Sequence, residues 1–113
     1  MATRILQFVV KNSWVADNLR SLGSGKLYHL AYRPDDMDPE VAKEVAGALL
    51  RPGTPAEVAL LAPHGEPVPV ADVELHEVHD FPGYCRFDFR ILRVYPEHRP
   101  GPDPGYLCRY VQR

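Results

Sequence analysis

Cysteine is scarce, with only Cys85 and Cys108 among 113 residues. Two thiols cannot staple a small secreted scaffold, nor can they fill a four-cysteine zinc site. Both fall in strand-like stretches, where a free thiol packs as a small hydrophobe, so both are expected to be buried. No charge of one sign dominates: 13 Lys and Arg against 15 Asp and Glu give a formal net charge of −2. That balance provides no general attraction to nucleic acid or an anionic membrane, and leaves only a local basic patch open. Long apolar runs are missing too. None approaches the roughly 18 residues that span a bilayer, and Met1 to Lys11 lacks the charged start, apolar middle and small-residue cleavage site of a signal peptide. The expected location is the cytoplasm, with no membrane partner. Phosphate-binding glycine loops, dinucleotide fingerprints, serine nucleophile elbows and internal repeats are absent as well.

What remains has ordinary globular composition, 45% hydrophobic and 25% charged, sufficient to build a core. A chain of this length suits one domain, residues 1–113.

The pattern along the chain predicts an α+β fold, an N-terminal β-α-β-α segment followed by an antiparallel meander of about four strands, in a single mixed sheet or two packed sheets. Arg4 to Lys11 is a nearly continuous apolar run, as in a strand covered on both faces. Asn12 and Ser13 can cap a helix carrying Val15, Leu19 and Leu22, with Gly23 as its stop. Lys26 to Arg33 shows no plainly polar face and predicts a central strand, by default parallel to the first through a right-handed crossover. A second helix is predicted with Asp38 as cap, Pro39 in its first turn, Val41, Val45 and Leu49 on one face, and Pro52-Gly53 as terminator.

Beyond residue 54 the period becomes two. Strands are predicted at Glu57 to Ala62 and at Val68 to Asp80, with Pro67 and Pro69 placing the start of the latter at an edge or outside the ladder. Phe81-Pro82-Gly83 reads as a three-residue hairpin loop. That loop sets Tyr84 against Asp80, His76 against Asp88, Leu75 against Phe89, Glu74 against Arg90 and Val73 against Ile91. Pro96 to Gly105 predicts a long exposed loop. Gly105 to Gln112 predicts a final strand, antiparallel to Arg86 to Tyr95, whose free edge could join a second copy in a homodimer.

Three groups of residues could carry function. Lys11, Asn12 and Ser13 lie where a strand meets a helix start, a place suited to an anion, and Tyr32 and Arg33 end the next strand beside them. Ordinary helix capping is the favoured account of Asn12 and Ser13, and Asp35, Asp36 and Asp38 read as a solvated lead-in rather than a hard-cation site. On the hairpin's polar face, His76 or His79 near Asp88 could exchange protons, while Arg86 and Arg90 could hold an anionic group; cross-strand ion pairing accounts for the same residues. Trp14, Tyr106 and Tyr110, interleaved with the C-terminal arginines, could form a surface for a protein partner or single-stranded nucleic acid. His76 and His79 are spaced wrongly to chelate on a strand, and His29 reads as a core residue, so neither a metal nor a cofactor is expected. The favoured reading is a non-enzymatic binding or regulatory module for a protein or a small anionic ligand. The alternatives are a small enzyme acting on a nucleotide or other phosphorylated ligand, and a nucleic-acid binder using the arginine-rich hairpin.

Overall fold

The computed structural model describes residues 4–11, 18, 21, 25–62, 66–68, 70–95, 99–102 and 105–112. In chain order they form β1 (Arg4–Val10), β2 (Leu27–Tyr32), a 3-10 turn (Pro34–Asp36), α1 (Pro39–Ala46), β3 (Pro55–Leu60), β4 (Pro67–Val68), β5 (Val70–Phe81), β6 (Tyr84–Val94), β7 (Arg99–Pro100) and β8 (Cys108–Gln112). The result is a mixed α+β fold: a six-stranded sheet in the order β2-β6-β5-β3-β1-β8, plus the small pair β4-β7. The helix expected from Asn12 to Gly23 lies outside the described residues, apart from Asn18 and Ser21, which are helical.

β1 is buried on both faces, with Leu6, Phe8 and Val10 in the main core and Gln7 and Val9 on the opposite side. Its parallel partner is β3, pairing Leu6 with Ala56 through Val10 with Leu60. The expected central β2 beside β1 is therefore corrected. β2 is an edge strand, antiparallel to β6 from Leu27↔Arg90 to Tyr32↔Cys85. Tyr28 and Leu30 pack on the core and Tyr32 is buried in it, whereas Leu27, His29 and Ala31 are exposed. An outward Leu and Ala hid this one-sided pattern, and His29 is a surface residue rather than a core one.

The last strand is corrected too. β8 pairs with β1, from Arg4↔Gln112 to Phe8↔Cys108, because β6 already has β5 and β2 on its two sides. It does lie at the sheet edge. Its outer side is partly taken by the turn before α1, through Leu107 N to Asp36 O at 2.7 Å and Asp38 N to Cys108 O at 2.9 Å.

α1 starts as the sequence predicts, Asp38 accepting from Glu40 N at 2.8 Å and Pro39 following. It ends at Ala46, short of Pro52-Gly53. Ala48 turns into the left-handed region at φ +53°, and Leu49 leaves the helix 64% exposed instead of joining Val41 and Val45 in the core.

The β5–β6 hairpin keeps three predicted pairs, Glu74↔Arg90, Leu75↔Phe89 and Val73↔Ile91, and shifts the rest. The turn holds two residues, Pro82 and Gly83, so Tyr84 faces Phe81 and Asp80 faces Cys85. Proline fixes φ near −65° at the first turn position, and Gly83 has φ +87° at the second, the requirement of a type II turn. The one-residue shift is absorbed by a bulge at His76, so Glu77 rather than His76 stands opposite Asp88. A second irregularity leaves Leu92 unpaired between Ile91 and Arg93. Each bulge preserves the inward set of Val73, Leu75, Phe87, Phe89 and Ile91, which is what burial selects.

Within the proline-rich segment the structure describes residues 99–102 and 105, and part of this stretch is held in place rather than lying in an exposed loop. β7 pairs with β4, Pro102 is buried, and Ala62 N donates to Pro102 O at 3.0 Å. Pro67 does fall outside the main ladder, as the sequence predicts.

The sheet curls until edge strand β2 reaches β1, the strand next to the opposite edge. Tyr32 on edge strand β2 stacks on Phe8 of β1, ring centres 6.0 Å apart, and Phe8 also meets Phe87 at 5.0 Å and Phe89 at 5.8 Å. α1 packs against this core through Val41 and Val45.

Candidate functional site

The curl brings the carboxyl ends of β1 and β2 to one opening. There Lys11, Tyr32, Arg33 and Asp36, with Leu30 and Leu107, line a cleft of about 330 Å³, a size suited to a small ligand. Tyr32 is buried, and its hydroxyl donates to Val9 O at 3.1 Å, fastening the two strand ends together. Burial pushes this phenol well above its ordinary pKa, and the neighbouring Cys108 and Asp36 add to the effect, so it stays protonated as wall and strut. Lys11 and Arg33 are exposed. Among the described residues neither is ion-paired to a carboxylate. Two cations and one carboxylate beside an apolar wall can hold a phosphate or a carboxylate group. The structure thus gathers Lys11, Tyr32 and Arg33 at one place, while Asn12, Ser13 and Trp14 lie outside the described residues.

The outer face of the hairpin forms a second polar group. His79 Nε2 lies 3.2 Å from Asp88 Oδ2 and 3.5 Å from Glu77 Oε2. Arg86 donates from Nε to Asp88 Oδ1 at 2.7 Å and from Nη2 to Oδ2 at 3.3 Å. Burial raises the Asp88 pKa, but the bonds from Arg86 and His79 outweigh it, so the carboxyl titrates below its usual range. His76, expected opposite Asp88, instead lines a cavity of about 350 Å³ with Val45, Leu50, Val78 and Asp80, between the end of α1 and β5.

The residues expected to form an interaction surface are largely occupied within the chain. Arg90 faces Glu74 at 4.0 Å, Arg93 lies over the Tyr95 ring at 4.6 Å, and Arg109 donates to Gln7 Oε1 at 3.0 Å. Tyr110 donates to Glu44 at 2.9 Å beneath the Arg4 guanidinium, which lies 3.7 Å above its ring. Burial and Glu44 push its phenol up to about 12. Tyr106 stays 44% exposed. Neither thiol is poised to react. Burial, with Asp80 alongside, raises Cys85 to about 11, and burial also raises Cys108.

A polar row crosses the far face of the sheet, and sequence reasoning missed it. The registers align Arg109, Gln7, Glu57, Asp72 and Arg93 across β8, β1, β3, β5 and β6. Gln7 and Glu57 are 2% and 4% exposed, joined by Gln7 Nε2 to Glu57 Oε2 at 3.1 Å. Tyr95 donates to Asp72 at 2.5 Å. The available signal was a lone polar residue inside each of two apolar runs, Gln7 in Ile5 to Val10 and Glu57 in Ala56 to Leu60. Pairing between the two runs could not be read from one chain.

Among the described residues, no helix is long and apolar enough to cross a membrane. Comparison with protein-family models, curated proteins and solved structures finds no match.

Proposed function

We propose that this protein is a cytoplasmic, non-enzymatic binding module for a small anionic ligand, held at the cleft where β1 and β2 end. Lys11 and Arg33 contact the anion, and Tyr32 with Leu30 and Leu107 covers its apolar part. One observation carries this reading: two cations with no carboxylate ion-pair partner among the described residues flank a cleft of ligand size. Elsewhere the arginines of the hairpin and last strand have internal partners, which favours a compact ligand over an extended nucleic acid. Buried thiols with raised pKa values favour binding over covalent catalysis.

Calorimetric titration with inorganic phosphate, a nucleoside monophosphate and a dicarboxylate tests the proposal. At least one should bind, with Lys11→Ala and Arg33→Ala each weakening it about tenfold, the equivalent of one charge-assisted hydrogen bond. Binding that is undiminished in the double variant, or absent for all three probes at millimolar concentration, would overturn it.

A further inference from the structure

We propose that the outer face of the β5–β6 hairpin binds one divalent transition-metal ion, with His79 Nε2, Asp88 Oδ2 and Glu77 Oε2 as ligands. These three atoms lie within 4.8 Å of one another. The imidazole nitrogen stands 3.2 Å from one carboxylate oxygen and 3.5 Å from the other. Bonds of 2.0–2.1 Å to a tetrahedral ion place neighbouring ligand atoms about 3.4 Å apart, so both distances match an edge of such a site. Hydrogen bonding alone satisfies this arrangement less well, because Nε2 carries at most one proton and cannot align it with two carboxylates.

The fold prepares the group. The two-residue turn sets Glu77 opposite Asp88 and His79 opposite Arg86, and the bulge at His76 keeps Glu77 and His79 on the outer face. The His79 ring is stacked on Phe81, centres 5.8 Å apart at 12°, and Phe81 rests on Tyr84 at 5.0 Å. Arg86 grips Asp88 Oδ1 at 2.7 Å and reaches Oδ2 only at 3.3 Å. It orients the carboxylate as an outer-shell partner does and leaves Oδ2 for the ion.

One imidazole with two carboxylates suits Zn²⁺ or Mn²⁺ better than Ca²⁺ or Mg²⁺, which prefer oxygen throughout. Side-chain exposures of 29% for His79, 15% for Asp88 and 59% for Glu77 leave one side of the site open. Water or a fourth ligand can close it. His29 is the exposed cross-strand neighbour of Asp88 on β2, so it shares this face.

The test is calorimetric titration of the chelator-stripped full chain with ZnCl₂, with CaCl₂ in a parallel run. Saturable uptake of one Zn²⁺ per chain is expected, weakened at least tenfold by His79→Ala and by Glu77→Gln, unchanged by His76→Ala, and without Ca²⁺ uptake. Glu77 is the most exposed of the three, so Glu77→Gln keeps the test informative if His79→Ala alters the fold, which circular dichroism would report. No saturable Zn²⁺ uptake, equal uptake of Ca²⁺, wild-type affinity in a folded His79→Ala or in Glu77→Gln, or an equal loss in His76→Ala would each overturn the proposal.

Discussion

Replacing Gln7 by leucine should destabilise the fold well beyond what its shape implies, since the two side chains are of similar size. Gln7 is 2% exposed and sits between two ionic groups, accepting from Arg109 Nε at 3.0 Å and donating to Glu57 Oε2 at 3.1 Å. A hydrogen bond to a charged partner contributes about 1.5–3 kcal/mol. Losing two costs roughly 3–6 kcal/mol, offset by about 1.5 kcal/mol from burying leucine, which leaves a net loss of about 1.5–4.5 kcal/mol. With a urea dependence of about 1.5 kcal/mol/M, the unfolding midpoint should fall by roughly 1–3 M. Glu57→Gln keeps an acceptor facing Gln7 and should cost far less. A cycle through Gln7→Leu, Glu57→Leu and the double variant should return a coupling of at least about 1 kcal/mol between the two positions. If Gln7→Leu unfolds within about 0.5 kcal/mol of wild type, or the cycle shows no coupling, the row is not a stabilising network and the reasoning fails.

Three further outcomes follow from the packing and the titrating groups. Gly101→Ala should lower stability by about 1–3 kcal/mol in urea unfolding, because the added methyl meets the Ala62 and Val68 side chains of the β4–β7 corner. Cys85 and Cys108, both buried and raised in pKa, should resist iodoacetamide at pH 8 in the native protein and react only on unfolding. Tyr110 has its pKa raised to about 12 in the folded state, so its contribution is complete below its unfolded value near 10 and is lost as pH rises through about 12. Tyr110→Phe should therefore be less stable than wild type at pH 9, by about 1 kcal/mol for the lost bond to Glu44, and the gap should narrow toward pH 12.

Local signals in the sequence were reliable where one short segment decides the outcome. The Asp38-Pro39 helix start, the two-sided burial of β1 and the central hairpin pairs all depend on neighbours in sequence or on one strong alternation. Partner choice was not legible. The strand patterns of β1, β3 and β8 are each compatible with several neighbours, and only the assembled sheet decides that β1 sits between β3 and β8. The hairpin turn was ambiguous by one residue, since Phe81-Pro82-Gly83 can be read as a loop of three or of two. Core burial hid the difference by absorbing it at His76. At the candidate sites the same limit applies. Lys11, Tyr32 and Arg33 were suggested by their positions at strand ends and do share a cleft, whereas the grouping of His79 with Glu77 and Asp88 depends on a bulge that no single-strand pattern announces.

The pairing of Arg4 with Gln112 has a consequence for how the chain reaches this structure. Among the described strands β1 is made before the others, yet one of its two neighbours is β8, made after them, so its ladder cannot be completed until residues 108–112 have left the ribosome. Contacts between such distant segments slow folding through the entropy of closing the intervening chain. During synthesis the apolar edge of β1 therefore waits unpaired on that side, and this interval is when aggregation or chaperone capture should be greatest.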